Sequence, residues 1–296
     1  MELFAITDSI IPNRIIKIDL DQSAQERMED LFTEAKNSFI SENDEEISFS
    51  VSYNLSPDEF FSIPEFTDDI GIIDAIERPD SVHIWNPEEI SVFYFKALFT
   101  GIPSNEKKEA EVFFQVFDKR QVINNEKAFL QMLTQPKNRF SVSTRPGFSI
   151  SDKLNAMLIG DKLIFKSFYM VRRFLDMDGY FTEATREDLE SFTQHDIFHM
   201  EDTASFMELA DSSIKKKVSL ISNSGILDTD IDRLQTCAEM INYDLNITVI
   251  SNTRKIVIPR EKKEIKKLLN FLDQGYFNTI ITNEPMFTNS KRPSQL

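Results

Sequence analysis

Leu154-Asn155-Ala156-Met157-Leu158-Ile159-Gly160-Asp161-Lys162-Leu163-Ile164-Phe165-Lys166 is the stretch on which the fold turns. Leu154–Ile159 and Lys162–Lys166 read as short strands, and Gly160-Asp161 between them suits a hairpin corner. From Ser167 the period changes, and Phe168, Val171, Phe174 and Leu175 share one helical face. Strands are therefore expected before this point and helices after it.

Upstream, Leu3–Thr7 and Arg14–Asp19 read as two strands. A helix is expected over Ser23–Phe39, burying Ala24, Met28, Leu31, Phe32, Ala35 and Phe39, with Ser23 and Glu26 as its capping box. Ile47–Tyr53 alternates apolar and polar residues, the period of a half-buried strand. Further strands are expected at Ser81–Trp85, Val92–Phe99, Val112–Phe117 and Phe140–Ser143, with Gly101–Asn105 turning between two antiparallel neighbours.

Thr144-Arg145-Pro146-Gly147 punctuates the chain, and Phe148–Ser151 reads as a short strand after it. Helices are expected at Thr185–Phe192, Asp202–Leu209, Ser213–Ser222 and Asp228–Met240, then strands at Ile247–Ile250 and Lys255–Ile258. A last helix follows Pro259 and stops before Gly275, with Ile265, Leu268, Leu269 and Leu272 on its apolar side. The fold class is α+β. Residues 1–145 are expected to form an acidic, mainly antiparallel sheet domain, and residues 146–296 a mixed, helix-rich domain ending in a basic helix.

The chain has 296 residues, 41% of them hydrophobic, enough to bury a sizeable core without disulfides or metal staples. Its one cysteine, Cys237, excludes an intrachain disulfide and a CxxC site, fits a reducing compartment, and sits at a helical position suggestive of core. Met1–Asp8 lacks a basic flank and a long apolar run, and Lys96 interrupts Ser91–Ile102, so neither secretion nor membrane spanning is expected. The formal net charge is −16, but residues 1–100 hold 22 acids against 6 bases, and the rest of the chain is balanced. Residues 251–296 carry nine bases against four acids. A polarised chain of this kind points to charged partners.

Seven scattered glycines provide neither a GxxxxGK[ST] loop nor a GxGxxG turn, which argues against Walker-type or Rossmann chemistry. His195 and His199 could share a helical face with Glu201 as a third ligand, but Asp196 stands where a zincin needs Glu. Asp176/Asp178 and Asp228/Asp230/Asp232 could serve a two-metal nuclease, although their settings favour turns and helix caps. There is no GxSxG elbow, and no cofactor or catalytic residue is assigned. The basic residues Lys215, Lys216, Lys217, Arg254, Lys255, Arg260, Lys262, Lys263, Lys266 and Lys267 are the candidate DNA-binding set, able to neutralise phosphates with little sequence preference. A Lys-rich helical face can equally be a solvated one.

Gly147-Phe148-Ser149-Ile150, then Ile159-Gly160-Asp161-Lys162-Leu163-Ile164-Phe165, then Phe168-Tyr169-Met170-Val171-Arg172-Arg173-Phe174-Leu175 resemble the KwaB family of the Kiwa antiphage system. Gly275-Tyr276-Phe277-Asn278-Thr279, Thr282-Asn283-Glu284 and Ser290-Lys291-Arg292 extend the resemblance, which covers about residues 90–296. It implies a cytoplasmic defence protein that binds phage DNA without catalysis and forms a homodimer or larger oligomer. It also implies work at the inner face of the membrane with the integral membrane protein KwaA, blocking phage DNA replication or transcription. The acidic first third departs from what a DNA binder would show. A metal-dependent nuclease and a pure protein-binding scaffold are the alternatives.

Overall fold

The computed structural model describes residues 1–123 and 147–292, together with the backbone of 130–133 and 139–142. The chain forms two compact units, one of residues 1–50 and 55–177, the other of 51–54 and 178 onward. The sequence reading ends its first domain at residue 145. The sheet of the first unit continues past that point, and the units part between Met177 and Asp178.

In the first unit the elements run β1 (Leu3–Thr7), β2 (Ile15–Ile18), α1 (Gln22–Phe39), β3 (Glu45–Ser48), β4 (Glu59–Ile63), α2 (Ile72–Glu77), β5 (Phe95–Ile102) and β6 (Glu111–Val116). Four short strands follow, β7 (Val122–Ile123), β8 (Leu130–Leu133), β9 (Arg139–Val142) and β10 (Gly147–Phe148), and then β11 (Ala156–Ile159), β12 (Lys162–Phe165) and α3 (Phe168–Val171). Eight strands make one sheet in the order β2-β1-β5-β6-β11-β12-β4-β3. All its pairings are antiparallel except β3 with β4.

Both faces of this sheet are covered over its inner strands, which are buried on both sides, whereas the edge strands β2 and β3 are buried on one side only. Met28, Phe32, Ala35 and Phe39 of α1 join Leu3, Ala5, Ile16, Leu98, Phe113 and Ile164 in one core. On the opposite face Phe4 stacks on Phe99, and Phe114, tilted against Phe99, meets Phe174 at 5.4 Å. The hairpin of β11 and β12 turns at Gly160, whose φ of +59° suits a residue without a Cβ.

Several details correct the expectations. Asp21 caps α1 by accepting the Ala24 amide at 2.8 Å, and Ser23 lies inside the helix. Ser81–Trp85 is no ladder strand, since Ile84 makes a single parallel bridge to Lys17. Val92–Tyr94 is a 3₁₀ turn, so the strand there starts at Phe95. The alternation over Ile47–Tyr53 becomes a strand only to Ser48, and Val51–Asn54 belongs with the second unit. There Lys291 donates its amide to Ser52 O at 2.8 Å, and the Arg292 guanidinium lies 5.0 Å from the Tyr53 ring. The strand expected at Phe140–Ser143 coincides with β9, and Ser143 with the punctuation over 144–146 lies outside the described residues.

The second unit contains α4 (Arg186–Gln194), β13 (Phe198–His199), α5 (Thr203–Leu209), α6 (Ser212–Ser222), α7 (Ile231–Met240), β14 (Ile247–Ile250), β15 (Thr253–Val257), α8 (Lys262–Leu272), β16 (Tyr276–Asn278) and β17 (Pro285–Phe287). Asp202, Asp211 and Asp230 cap α5, α6 and α7 through their carboxylates, and Thr185 closes a capping box on α4. β13, β15 and β14 form a small sheet, and β16 pairs with β17. Phe192, Phe206, Ile214, Val218, Leu234, Ile256, Ile265 and Leu268 share the core. No helix among the described residues is long and apolar enough to cross a membrane.

Candidate nucleic-acid interface

α8 places its lysines by simple periodicity. Ile265, Leu268, Leu269 and Leu272 recur at helical spacing and are buried to within 2% of full enclosure. That fixes Lys262, Lys263, Lys266 and Lys267 on one continuous outward arc over the first two turns. The N-terminal end of a helix carries positive partial charge, so lysines there sit against the dipole and add to its field. Glu264 is the acid of the first turn, and it takes the Lys267 ammonium at 2.8 Å. That hydrogen bond raises the Lys267 pKa above the usual lysine value.

Two carboxylates tie α8 to α6. Asp211, the cap of α6, accepts the Ile214 amide at 3.0 Å and pairs with the Lys262 and Lys266 ammonium groups at 3.0 and 2.9 Å. Burial by itself would raise this carboxyl, but the Lys266, Ile214 and Lys262 hydrogen bonds outweigh it and hold Asp211 well below the ordinary carboxylate range. Asp273, just past α8, binds Lys217 of α6 and the Lys291 ammonium, the latter at 2.8 Å. The contacts follow the same order along both helices, so α6 and α8 run side by side in the same sense.

The ten candidate cations do not form one surface. Lys217 joins the α8 group through Asp273. Lys216 of the same helix is half-buried, and burial, reinforced by neighbouring Lys217, lowers its pKa. Lys215 lies on α6 with no carboxylate partner among the described residues. Arg254 reaches Asp232 and Gln235 of α7. Lys255 must point to the opposite sheet face, because strand side chains alternate and Ile256 fills the core with Ile265 and Leu268. Arg260 pairs with Glu201. Within the α8 group, one carboxylate serves two lysines and Lys263 has no carboxylate partner among the described residues, so the face keeps a positive excess.

The metal candidates stand apart. His195 closes α4 and accepts the Ile197 amide at Nδ1, 3.4 Å, while His199 lies in β13, so the two do not share a helical face. Glu201 is engaged by Arg260. Asp230 caps α7, Asp228 ends a 3₁₀ turn, and Asp176 and Asp178 fall in different units. No group of three or more His, Cys, Asp or Glu among the described residues could hold a metal ion. Cys237 is helical as expected but exposed rather than buried.

Sequence reading missed the organising acids. Asp211-Ser212-Ser213-Ile214 signals a helix cap, yet nothing local reports that lysines more than fifty positions away would converge on it.

The family model described as Kiwa protein KwaB-like matches residues 96–282. The chain belongs to the KwaB-like family. Membership gives it a role in Kiwa antiphage defence. The KwaB-like segment opens in β5 and extends beyond β16, taking in α6, α8, Asp211 and Asp273. Residues 1–95, which hold 22 acids against 5 bases and so account for the whole acidic excess, lie outside it. No curated protein and no solved structure matches the chain.

Proposed function

We propose that this KwaB-like protein is a non-enzymatic Kiwa effector that holds the phosphate backbone of phage DNA on the lysine face of α8. The supporting observation is the placement of Lys262, Lys263, Lys266 and Lys267 at the positive end of the helix dipole. Helix stability alone disfavours cations there, whereas phosphate binding gains from both charges and dipole. Such a face binds duplex DNA with strong salt dependence and little sequence preference.

The net charge of −16 opposes long-range attraction to DNA, but the excess lies outside the KwaB-like segment. We assign that acidic region to assembly, through self-association into a homodimer or larger oligomer, or docking to the membrane protein KwaA. DNA would then be held at the inner membrane face, and occupancy would impede replication or transcription. A gel-shift series on the full chain tests the DNA reading. Wild type should retard a duplex at low salt and lose it as salt rises, and reversal of the four α8 lysines to Glu should abolish the shift. No retardation of the wild type at low salt would refute it.

A further inference from the structure

Beyond the end of α8, β16 and β17 pair as a hairpin whose connecting loop carries Ile280 and Ile281. These two side chains are 101% and 95% exposed, as open to solvent as in an extended peptide. The loop that presents them is nonetheless closed by its own hydrogen bonds. The Thr279 amide donates to Glu284 O at 3.0 Å, the Asn283 amide to Thr279 O at 2.9 Å and the Glu284 amide to Thr279 Oγ1 at 3.0 Å, while the Thr279 and Thr282 hydroxyls share a bond of 2.6 Å. Asn283, at φ +54°, takes the left-handed position that asparagine tolerates in turns. Two adjacent β-branched aliphatic side chains are thus held outward by a built turn.

Exposed apolar area of this kind gains free energy when it leaves water, and it marks a surface that meets something apolar. Three observations favour lipid as that surroundings. No charged residue stands between Asp273 and Glu284, so the whole tip can leave water without stripping an ion of its hydration. Phe277 and Met286 are cross-strand partners, 42% and 48% exposed, so they continue the apolar surface from the tip along one face of the hairpin. The reach from that pair to the loop is roughly 10 Å, the depth to which apolar faces enter the boundary of headgroups and acyl chains. Residues 251–296, which carry the hairpin, hold nine bases against four acids, and two of those acids, Glu264 and Asp273, are already paired with lysines, a balance that suits an anionic surface. We propose that this hairpin enters a lipid bilayer tip first, with Ile280 and Ile281 among the acyl chains and Phe277 and Met286 at headgroup level. The contact is made by the chain itself, needs no membrane protein, and does not depend on the DNA reading of α8.

The full chain, free of DNA, would be sedimented with vesicles of phosphatidylcholine alone or with about 30% phosphatidylglycerol. Wild type should bind both and the anionic vesicles more tightly, and Ile280→Ser with Ile281→Ser should weaken the apparent affinity about tenfold or more. Both positions are fully exposed, so the variant should fold as wild type does, which far-ultraviolet circular dichroism checks. A second measurement reads the tip directly. Because Cys237 is the chain's one cysteine, Cys237→Ser with Ile281→Cys allows a polarity-sensitive fluorophore to be placed in the loop alone, and its emission should shift to the blue on vesicles. Equal binding by wild type and the double serine variant, or an unshifted fluorophore on bound protein, would overturn the proposal by placing the lipid contact elsewhere. Absence of sedimentation with either vesicle at millimolar lipid would also overturn it and leave a protein surface as the partner of the tip. None of these results bears on the gel shift, so the two readings fail separately.

Discussion

Replacing Asp211 separates two tasks carried by one carboxylate. It caps α6 through the Ile214 amide at 3.0 Å, and it clamps Lys262 and Lys266 at 3.0 and 2.9 Å. Asn caps a helix about as well as Asp, whereas Ala loses the cap at a cost of about 1 kcal/mol. The clamp side chains are 37%, 43% and 38% exposed, so solvent screening limits the ion pairs to at most about 1 kcal/mol. Asp211→Asn should therefore cost under about 1 kcal/mol and Asp211→Ala about 1.5–2 kcal/mol, read from the midpoint and slope of urea unfolding by circular dichroism. A cycle with Lys266→Met should return a coupling of a few tenths of a kcal/mol. Because the folded-state pKa of Asp211 is depressed, its contribution is complete above the unfolded carboxylate value, about 4, and disappears as pH falls toward the lower folded value. Asp211→Asn should accordingly flatten the loss of stability below about pH 4. Equal destabilisation by Asn and Ala would refute the cap, and zero coupling to Lys266 would refute the clamp.

Gly101→Ala should destabilise the first unit by about 1–3 kcal/mol, because a Cβ there would lie 2.5 Å from Glu111 O of the neighbouring strand. An unchanged denaturation midpoint would show that β5 and β6 can separate freely at that position. Asp211→Asn should also strengthen DNA binding at low salt and steepen its salt dependence by about one to two released counterions, since it frees Lys262 and Lys266. Weaker binding in this variant, measured by anisotropy on a labelled duplex, would count against the α8 face as the contact surface.

Local patterns revealed the elements, and long-range pairing decided the rest. α8 was legible because Ile265, Leu268, Leu269 and Leu272 give an unambiguous stripe. Its end was read less well. Gln274, at φ +52°, takes the left-handed position, and Gly275 serves instead for close approach, where a Cβ would meet Thr288 O at 3.0 Å. β4 was missed because Glu59–Ile63 is buried on both faces between β12 and β3 and shows no alternation. Beyond Ser48, Ser52 and Asn54 hydrogen-bond to Lys291 and Ser290, partners more than 200 residues away that no period can announce. The lysine face itself was legible from spacing. Its clamps, Asp211 and Asp273, and the separation of Lys255 from it come only from tertiary structure.

The salt dependence of duplex affinity in full-length wild type and a Lys263→Ala/Lys267→Ala variant tests the central claim most directly. Plots of log affinity against log salt should be linear, and the variant should be weaker and shallower, with the slope reduced by up to about 0.9 for each lysine removed. Identical affinity and slope in the two proteins would mean that the outward face of α8 does not meet the DNA backbone.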